Sequence, residues 1–224
     1  MNAIWNIDDR SKIRSIDNYG AIDMRFSPNG KNLILTNKDK TIKIYELNTG
    51  VLLRNFSHQN EIKTANLSPD NKHLAFVERN VSNAISICNP GKDYCSNVRK
   101  LGFHNDNITS LSFSHNGKFL ASGSKDKSIK LWSLDSKAFK VSEDKDRSIS
   151  QVKINPNNKI IAANSLEQVH LLNTNGTLIG TFDGYINNLN FSPNGKIFTT
   201  GTANSIVQIS SLNGKDMLLG GKKQ

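Results

Sequence analysis

The sequence contains few of the residues that would mark a metal-bound, secreted or membrane protein. It has 2 cysteines, 5 prolines and 7% aromatic residues in 224 positions. A chain of this length buries enough surface to need neither a metal nor a disulfide for its core. No apolar run approaches the ~18 residues that a transmembrane helix requires. The N-terminal residues lack the basic-then-apolar pattern of a secretion signal. We therefore expect a cytoplasmic chain with no membrane partner.

Acidic side chains are also scarce relative to basic ones. There are 29 basic and 19 acidic residues, giving a formal net charge of +10. The basic residues are 22 Lys and only 7 Arg. Arginine offers the planar fork that recognises phosphates and base edges, whereas lysine is a hydrated point charge. This composition argues against specific nucleic-acid recognition but permits loose attraction to anions.

Asparagine is abundant, and it belongs to a repeated turn. The chain has 30 Asn, about 13%, and Asn tolerates the left-handed backbone of tight turns. The tetrad SPNG or a variant of it recurs five times, in steps of 41, 46, 41 and 37 residues. The copies begin at Ser27, Ser68, Ser114, Asn155 and Ser192. A period near 40 predicts an array of similar units.

Each repeat contains four short runs that alternate apolar and polar residues and are separated by turn signals. In the third repeat, for example, Ile108–Phe113 precedes the tetrad that begins at Ser114, and Ser128–Trp132 follows the next polar loop. No window has a sustained helical period. We predict an all-β chain of four-stranded antiparallel sheets that stack into a β-propeller. The predicted complete sheets, or blades, are 18–57, 58–103, 104–145, 146–182 and 183–219, with 220–224 as a tail.

A sixth, partial unit precedes these sheets. Residues 2–5 match the end of a third strand and residues 12–16 match a fourth, so 1–17 is predicted to be half a blade. Three explanations stay open: a piece of a longer propeller, an open propeller completed by a partner or a second copy, or a closed five-bladed one. Unpaired strand edges invite association, so we expect self-association in the second case.

Neither the cysteines nor the histidines form a metal site in this reading. Cys88 and Cys95 flank a predicted hairpin loop, and two thiols need two further ligands to hold structural zinc. In a reducing compartment free thiols are expected, with a local disulfide as the alternative. The other histidines show no paired spacing for a metal, and no cofactor is expected. They are His58, His73, His115 and His170.

Residues 104–134, HNDNITSLSFSHNGKFLASGSKDKSIKLWSL, resemble a repeat of the WD-repeat (tryptophan–aspartate) β-propeller family. The resemblance implies a structural network of four hydrogen-bonded side chains, in which a buried indole N–H needs an acceptor. The corresponding residues are His104, Ser122, Asp126 and Trp132. Three of them imitate a hydrolase triad, but Ser122 lies inside a predicted strand and not on a nucleophile elbow. We therefore predict no catalytic residues.

The other repeats depart from this network. The first has Asp39 and Tyr45 but Leu35 in place of the hydroxyl, and the fifth has Thr200, Asn204 and Ser210. The second and fourth have no member of the network at the hydroxyl and tryptophan positions. These positions hold Phe76 and Cys88 in the second repeat, and Ala163 and Leu172 in the fourth.

The resemblance implies a non-enzymatic scaffold that binds a protein or peptide. By analogy, the binding surface consists of the fourth-to-first-strand and second-to-third-strand loops. The candidate partner-binding residues are Lys38, Lys40, Asn105, Asp106, Lys125, Lys127 and Asn187.

Lysines also follow the repeated turn in every copy, and they support an alternative function. They are Lys31, Lys72, Lys118, Lys159 and Lys196. Turn-flanking lysines are ordinary solubilising residues, and we take that as the default interpretation. The alternative is binding of an acidic partner, a phosphorylated peptide or a nucleic-acid backbone, for which binding would weaken steeply with salt.

Overall fold

The computed structural model describes residues 2–5, 8–16, 20–79, 83–91, 94–134, 139–143, 147–202 and 207–212. These residues form 21 β-strands and no helix. The prediction of an all-β chain is therefore confirmed. The chain divides into two compact units, residues 1–100 and 101–224.

The first unit contains a two-stranded sheet and a four-stranded sheet, followed by most of a second four-stranded sheet. β1 (Asn2–Trp5) pairs antiparallel with β2 (Lys12–Ile16). The first sheet has the order β3 (Ala21–Phe26), β4 (Asn32–Asn37), β5 (Thr41–Glu46) and β6 (Leu52–Ser57). The second sheet consists of β7 (Ile62–Leu67), β8 (Leu74–Glu78), β9 (Ala84–Pro90) and β10 (Cys95–Phe103), and the division between units falls within β10.

The second unit contains three further sheets in the same antiparallel order. The third sheet consists of β11 (Ile108–Phe113), β12 (Phe119–Ser124), β13 (Ser128–Ser133) and β14 (Phe139–Glu143). The fourth consists of β15 (Gln151–Ile154), β16 (Ile160–Ser165), β17 (Gln168–Asn173) and β18 (Leu178–Asp183). The fifth consists of β19 (Ile186–Phe191), β20 (Ile197–Thr202) and β21 (Val207–Ser211). A fourth strand of this sheet, predicted before residue 219, falls outside the described residues.

The repeated turns connect the first and second strands of each sheet, and their conformation explains their composition. The fourth residue of every turn has a positive φ between 60° and 69°. Glycine adopts this conformation without penalty and asparagine tolerates it. The residues are Gly30, Asn71, Gly117, Asn158 and Gly195. The asparagine-rich tetrad is therefore required by the backbone of the turn.

The core lies between neighbouring sheets, because the middle strands are buried on both faces. In β4, Ile34 packs with the second sheet, while Leu33 and Leu35 pack on the opposite face with Ile16 and Tyr45. In the second unit, one cluster joins the third sheet to the fourth and another joins the fourth to the fifth. Each such aliphatic side chain contributes roughly 1.5–3 kcal/mol on burial. The outer fourth strands are largely exposed, as β6 and β18 show.

The expectation of two free thiols was wrong. Cys88 at the end of β9 and Cys95 at the start of β10 form a disulfide, with their Cα atoms 5.6 Å apart. This separation is ordinary for a disulfide. The β9–β10 hairpin brings the two cysteines within bonding distance, because its strands lie side by side and the cysteines are only seven positions apart in sequence. Free thiols were expected because a reducing compartment was expected, and the short separation of the two cysteines along the chain was given less weight.

We expect reduction of this disulfide to lower the melting temperature by about 5–10 °C. Closing a loop of this size stabilises a protein by about 2.5 kcal/mol in the chain-entropy account, and about 1 kcal/mol corresponds to ~2–4 °C for a domain of this size. Thermal unfolding with and without a phosphine reductant measures the difference, with a Cys88→Ala/Cys95→Ala variant as the control that no longer responds. Two titratable thiols in the native, unreduced protein would contradict the assignment.

Candidate protein-interaction faces

The side chains predicted to form a network in the third sheet are within hydrogen-bonding distance of one another. The Trp132 Nε1–H donates to Ser122 Oγ at 2.7 Å. Ser122 Oγ lies 2.7 Å from His104 Nε2, and His104 Nδ1 lies 2.9 Å from Asp126 Oδ2. Asp126 also accepts from the Asn105 N–H at 2.8 Å and from the Ser128 hydroxyl at 2.6 Å. Two strands and two loops of the sheet thus meet at one buried chain of hydrogen bonds.

The protonation states of His104 and Asp126 determine which atoms donate and which accept in this series of hydrogen bonds. Burial lowers the pKa of His104, and the neighbouring carboxylate opposes this effect without reversing it. For Asp126, burial acts to raise the pKa, but hydrogen bonds from Ser128 and the Asn105 N–H outweigh it and lower the pKa to about 2. At neutral pH a neutral imidazole therefore donates from Nδ1 to the carboxylate. Its Nε2 accepts from Ser122, whose oxygen accepts from the indole.

The second sheet replaces this network with a different arrangement, which the sequence had not indicated. His58 occupies the position that corresponds to His104, and its ring packs edge-on against Phe76 at 5.2 Å between centroids. Its Nε2 lies 3.6 Å from the Glu78 carboxylate, which also binds Lys100 Nζ at 3.3 Å. An aromatic contact and contacts to the Glu78 carboxylate therefore connect the loop before β7 to strands β8 and β10 without a serine or a tryptophan.

In the remaining sheets, the residues at the network positions make other contacts. In the first, Asp39 accepts from the Thr41 N–H and hydroxyl, and Leu35 packs in the apolar core. In the fourth, Ala163 and Leu172 lie within an apolar cluster. In the fifth, Thr200 is buried, Asn204 lies outside the described residues, and the side chain of Ser210 is likewise not described.

We define the loop face as the second-to-third-strand and fourth-to-first-strand loops, which lie at the same end of each sheet. Six of the seven predicted partner-binding residues lie on these loops, the seventh, Asn187, lies at the start of β19, and all seven are exposed. Lys38 and Lys40 belong to the first unit. Asn105, Asp106, Lys125 and Lys127 lie on two adjacent loops of the third sheet, joined by the Lys125 N–H bond to Asn107 O at 2.9 Å. Asn187 sits at a bulge of β19.

Two apolar residues of the loop face were missed by the sequence analysis. Leu166, in the loop between β16 and β17, is 56% exposed and has a φ of +55°. Tyr185, before β19, is 57% exposed. The Ile186 N–H donates to Leu166 O at 2.9 Å, and the Gly184 N–H donates to Glu167 O at 2.7 Å. Only the shortness of the 166–167 loop, relative to the repeat, could have drawn attention to them.

The described part of the chain has no group of three or more His, Cys, Asp or Glu side chains arranged to hold a metal ion. A search of the same residues finds no helix of the length and apolarity needed to span a membrane.

Comparison with known proteins agrees with the repeat and the fold. A family model described as "WD domain, G-beta repeat" matches residues 10–46, 95–133 and 176–209. The chain is 26% identical over 128 residues to the target of rapamycin complex subunit wat1 of Schizosaccharomyces pombe, covering 56% of this chain and 39% of that one. It is 27% identical over 150 residues to eukaryotic translation initiation factor 3 subunit I of Drosophila willistoni, covering 61% and 47%. The matches thus span less than half of either relative.

A solved structure gives the same answer for the fold. A chain in the crystal structure of the mitotic checkpoint complex superimposes with a TM-score of 0.73 at 20% identity, over 94% of this chain and 68% of that one. The architecture is therefore that of a β-propeller built from four-stranded antiparallel blades. The chain belongs to the WD-repeat family.

Proposed function

We propose that this protein is a non-enzymatic scaffold whose loop face binds another protein. The relatives are, by name, subunits of a target of rapamycin complex and of a translation initiation factor, which supports a role in a multiprotein assembly. The observation that carries the proposal is the exposed pair Leu166 and Tyr185. The identity of the partner is not specified by these residues.

The positive φ of Leu166 follows from the hairpin in which it lies, because Ser165 pairs with Gln168 and residues 166–167 form the two-residue loop between β16 and β17. The favoured turns of such loops have a positive φ at the first loop residue. The Glu167 N–H bonds to Ser165 O at 2.5 Å, so Leu166 is the centre of a three-residue turn with positive φ. The left-handed conformation costs an L-residue roughly 1–2 kcal/mol, which glycine or asparagine would largely avoid. The hairpin therefore requires this conformation but not a leucine, and an exposed, strained residue type at such a position is a candidate for a binding role.

Backbone hydrogen bonds join the loops that carry Leu166 and Tyr185, residues 166–167 and 184–186, and polar side chains lie on or next to the same loops. Arg147 pairs with Glu167, and the Gln168 side chain donates to Asp183 Oδ1 at 2.7 Å. Tyrosine is enriched at binding hot spots, where a few central anchors carry most of the affinity, and an exposed tyrosine with an exposed apolar residue on the neighbouring loop fits such an anchor.

The segment 147–149 connects the 166–167 loop, through the Arg147–Glu167 pair, to the candidate residues of the third sheet. The Ile149 N–H donates to Ser124 O at 2.9 Å, and the Ser148 hydroxyl donates to Lys125 O at 3.3 Å. The loops of the third, fourth and fifth sheets therefore follow one another along the loop face of the second unit. Asn105, Asp106, Lys125 and Lys127 would supply polar contacts at its edge, where charges influence the association rate and specificity more than the affinity.

The proposal is tested by quantitative affinity purification with a Leu166→Ser/Tyr185→Ser variant. We expect proteins retained by the wild-type chain to be lost at least about tenfold, because hot-spot anchors typically contribute 2 kcal/mol or more each. The matched control is Leu178→Ser/Ile179→Ser, which removes two apolar side chains of similar exposure, 52% and 47%, from the outer strand of the same sheet. Equal retention by the loop-face variant and the wild type would refute the proposal.

The proposal also includes the cytoplasm as the place of action and self-association as a property of the chain. A reducing compartment would break the Cys88–Cys95 disulfide and hold both residues as thiols. Alkylation of both cysteines in intact cells is therefore the result expected in the cytoplasm, and a disulfide preserved in intact cells would contradict this location. Light scattering tests self-association, for which a monodisperse monomer is the contrary result.

A further inference from the structure

The first-to-second-strand turns of the second unit, 114–119, 155–160 and 192–197, share one set of hydrogen bonds. In each, the N–H of the fourth residue donates to the carbonyl of the first at 2.8–3.0 Å. In each, the N–H of the fifth residue, a lysine, donates to the side-chain oxygen of the third residue, an asparagine, at 2.8–3.1 Å. The lysines are Lys118, Lys159 and Lys196. Each lysine is therefore the residue directly after the tetrad, and the three lysines share the same backbone hydrogen-bonding geometry.

These three turns are also bonded to one another. The Asn116 N–H donates to Asn158 Oδ1 at 3.0 Å, and the Asn155 amide donates to Gly195 O at 3.0 Å. The asparagines of the turns thus form a continuous polar seam across three sheets. Because backbone atoms take part in both bonds, the seam fixes the spacing between the turns. The three lysines are consequently presented on a rigid base.

The charged residues of these three turns all have the same sign. Lys118, Lys159 and Lys196 are all exposed, and the three turns contain no Asp or Glu. The first unit differs, because its turn at residues 68–73 carries Asp70 beside Lys72. Like charges held at fixed positions produce a local potential that attracts anions.

We propose that Lys118, Lys159 and Lys196, which we call the lysine arc, bind an acidic peptide segment. The turns lack arginine, and their one Phe, Tyr or Trp residue is Phe119, which is half-buried against the cluster between the third and fourth sheets. Nucleic-acid surfaces usually combine arginine with aromatic platforms on which bases stack. Spaced ammonium groups instead match the carboxylates of an extended acidic chain. The arc lies at the opposite end of the sheets from the loop face, so this site is independent of the proposed function.

The test is fluorescence anisotropy of the full chain with a labelled octaglutamate peptide at low salt. We expect Lys118→Glu/Lys159→Glu to weaken binding about tenfold, given typical energies of exposed ion pairs. Arg10→Glu/Lys12→Glu lowers the net charge equally in the first unit and should change affinity less than about twofold. Lys118→Arg/Lys159→Arg keeps the charge and should retain binding. A nine-nucleotide oligothymidylate serves as the competing class of ligand.

Each outcome decides the proposal. Selective loss in the arc variant, with a melting temperature like that of the wild type, supports it. Equal weakening by the arc variant and the first-unit variant would show that only net charge matters, and would overturn it. Oligothymidylate binding that is tighter than peptide binding and lost in the arc variant would assign the arc to nucleic acid and also overturn it. Capture of proteins by the loop face is measured in parallel with the same variants. Because the arc variants leave the loop face unchanged, unaltered capture shows that a negative result for the lysine arc does not count against the scaffold function.

Discussion

Replacing Ser122 with alanine is expected to lower the free energy of unfolding by about 2–4 kcal/mol. The change removes one oxygen but leaves two buried groups without partners, the Trp132 indole N–H and His104 Nε2. Each buried group without a partner costs roughly 1–3 kcal/mol. Chemical denaturation of the two proteins measures the difference. Thr200 in the fifth sheet shows that a hydroxyl is also kept at this position where no tryptophan follows.

A matched control and a double variant separate the network from simple burial. Ser165 is as buried as Ser122, but its hydroxyl makes only a 3.4 Å bond to Gln168 O and a 3.3 Å contact with His170. Ser165→Ala should therefore cost no more than about 1 kcal/mol. Adding Trp132→Phe, which removes the indole donor, should make the Ser122→Ala effect smaller than it is in the wild type. Additive effects would show that the indole and the hydroxyl are not coupled.

Replacing Gly123 with alanine is expected to cost about 1–3 kcal/mol, as overpacking does. A Cβ at Gly123 would lie 2.5 Å from Ile149 Cγ2 and 2.9 Å from Val152 Cγ1. These atoms belong to the fourth sheet, so the glycine sets how closely the third and fourth sheets approach. Thermal or chemical unfolding measures the effect. Ile149→Ala in the same chain makes room for the new methyl group and should make the combined cost less than additive.

The fifth sheet supplies the control for this experiment. Gly201 occupies the same position in its repeat, but a Cβ there would meet nothing within 4 Å. Gly201→Ala should leave the stability unchanged or raise it by up to about 1 kcal/mol, because alanine loses less backbone entropy than glycine. If both variants were equally destabilised, the close approach of the two sheets would not be the cause.

Much of the fold followed from the sequence because turn chemistry and period-2 patterning act locally. The run predicted as a strand at residues 108–113 is β11, and the runs at residues 2–5 and 12–16 are β1 and β2. The left-handed fourth residues of the turns were also evident, since only Gly or Asn occurs there. These features need no knowledge of distant contacts.

The missed features depend on contacts between loops that are distant in sequence. Leu166 is an ordinary apolar residue in sequence, and nothing in its type suggests a positive φ or a neighbour at Tyr185. The His58–Phe76–Glu78 arrangement replaces a familiar network with residues of different chemistry. Gly123 and Gly201 are indistinguishable in the repeat, although only one of them is packed against a neighbouring sheet.

The most direct test of the scaffold proposal is one variant, Leu166→Asn, measured for both stability and binding. Asparagine tolerates the left-handed backbone that strains leucine. We expect the melting temperature to rise by about 2–4 °C, while capture of the proteins held by the wild-type loop face falls at least about tenfold. A gain in stability with undiminished capture would show that Leu166 is not an anchor, and would contradict the proposal.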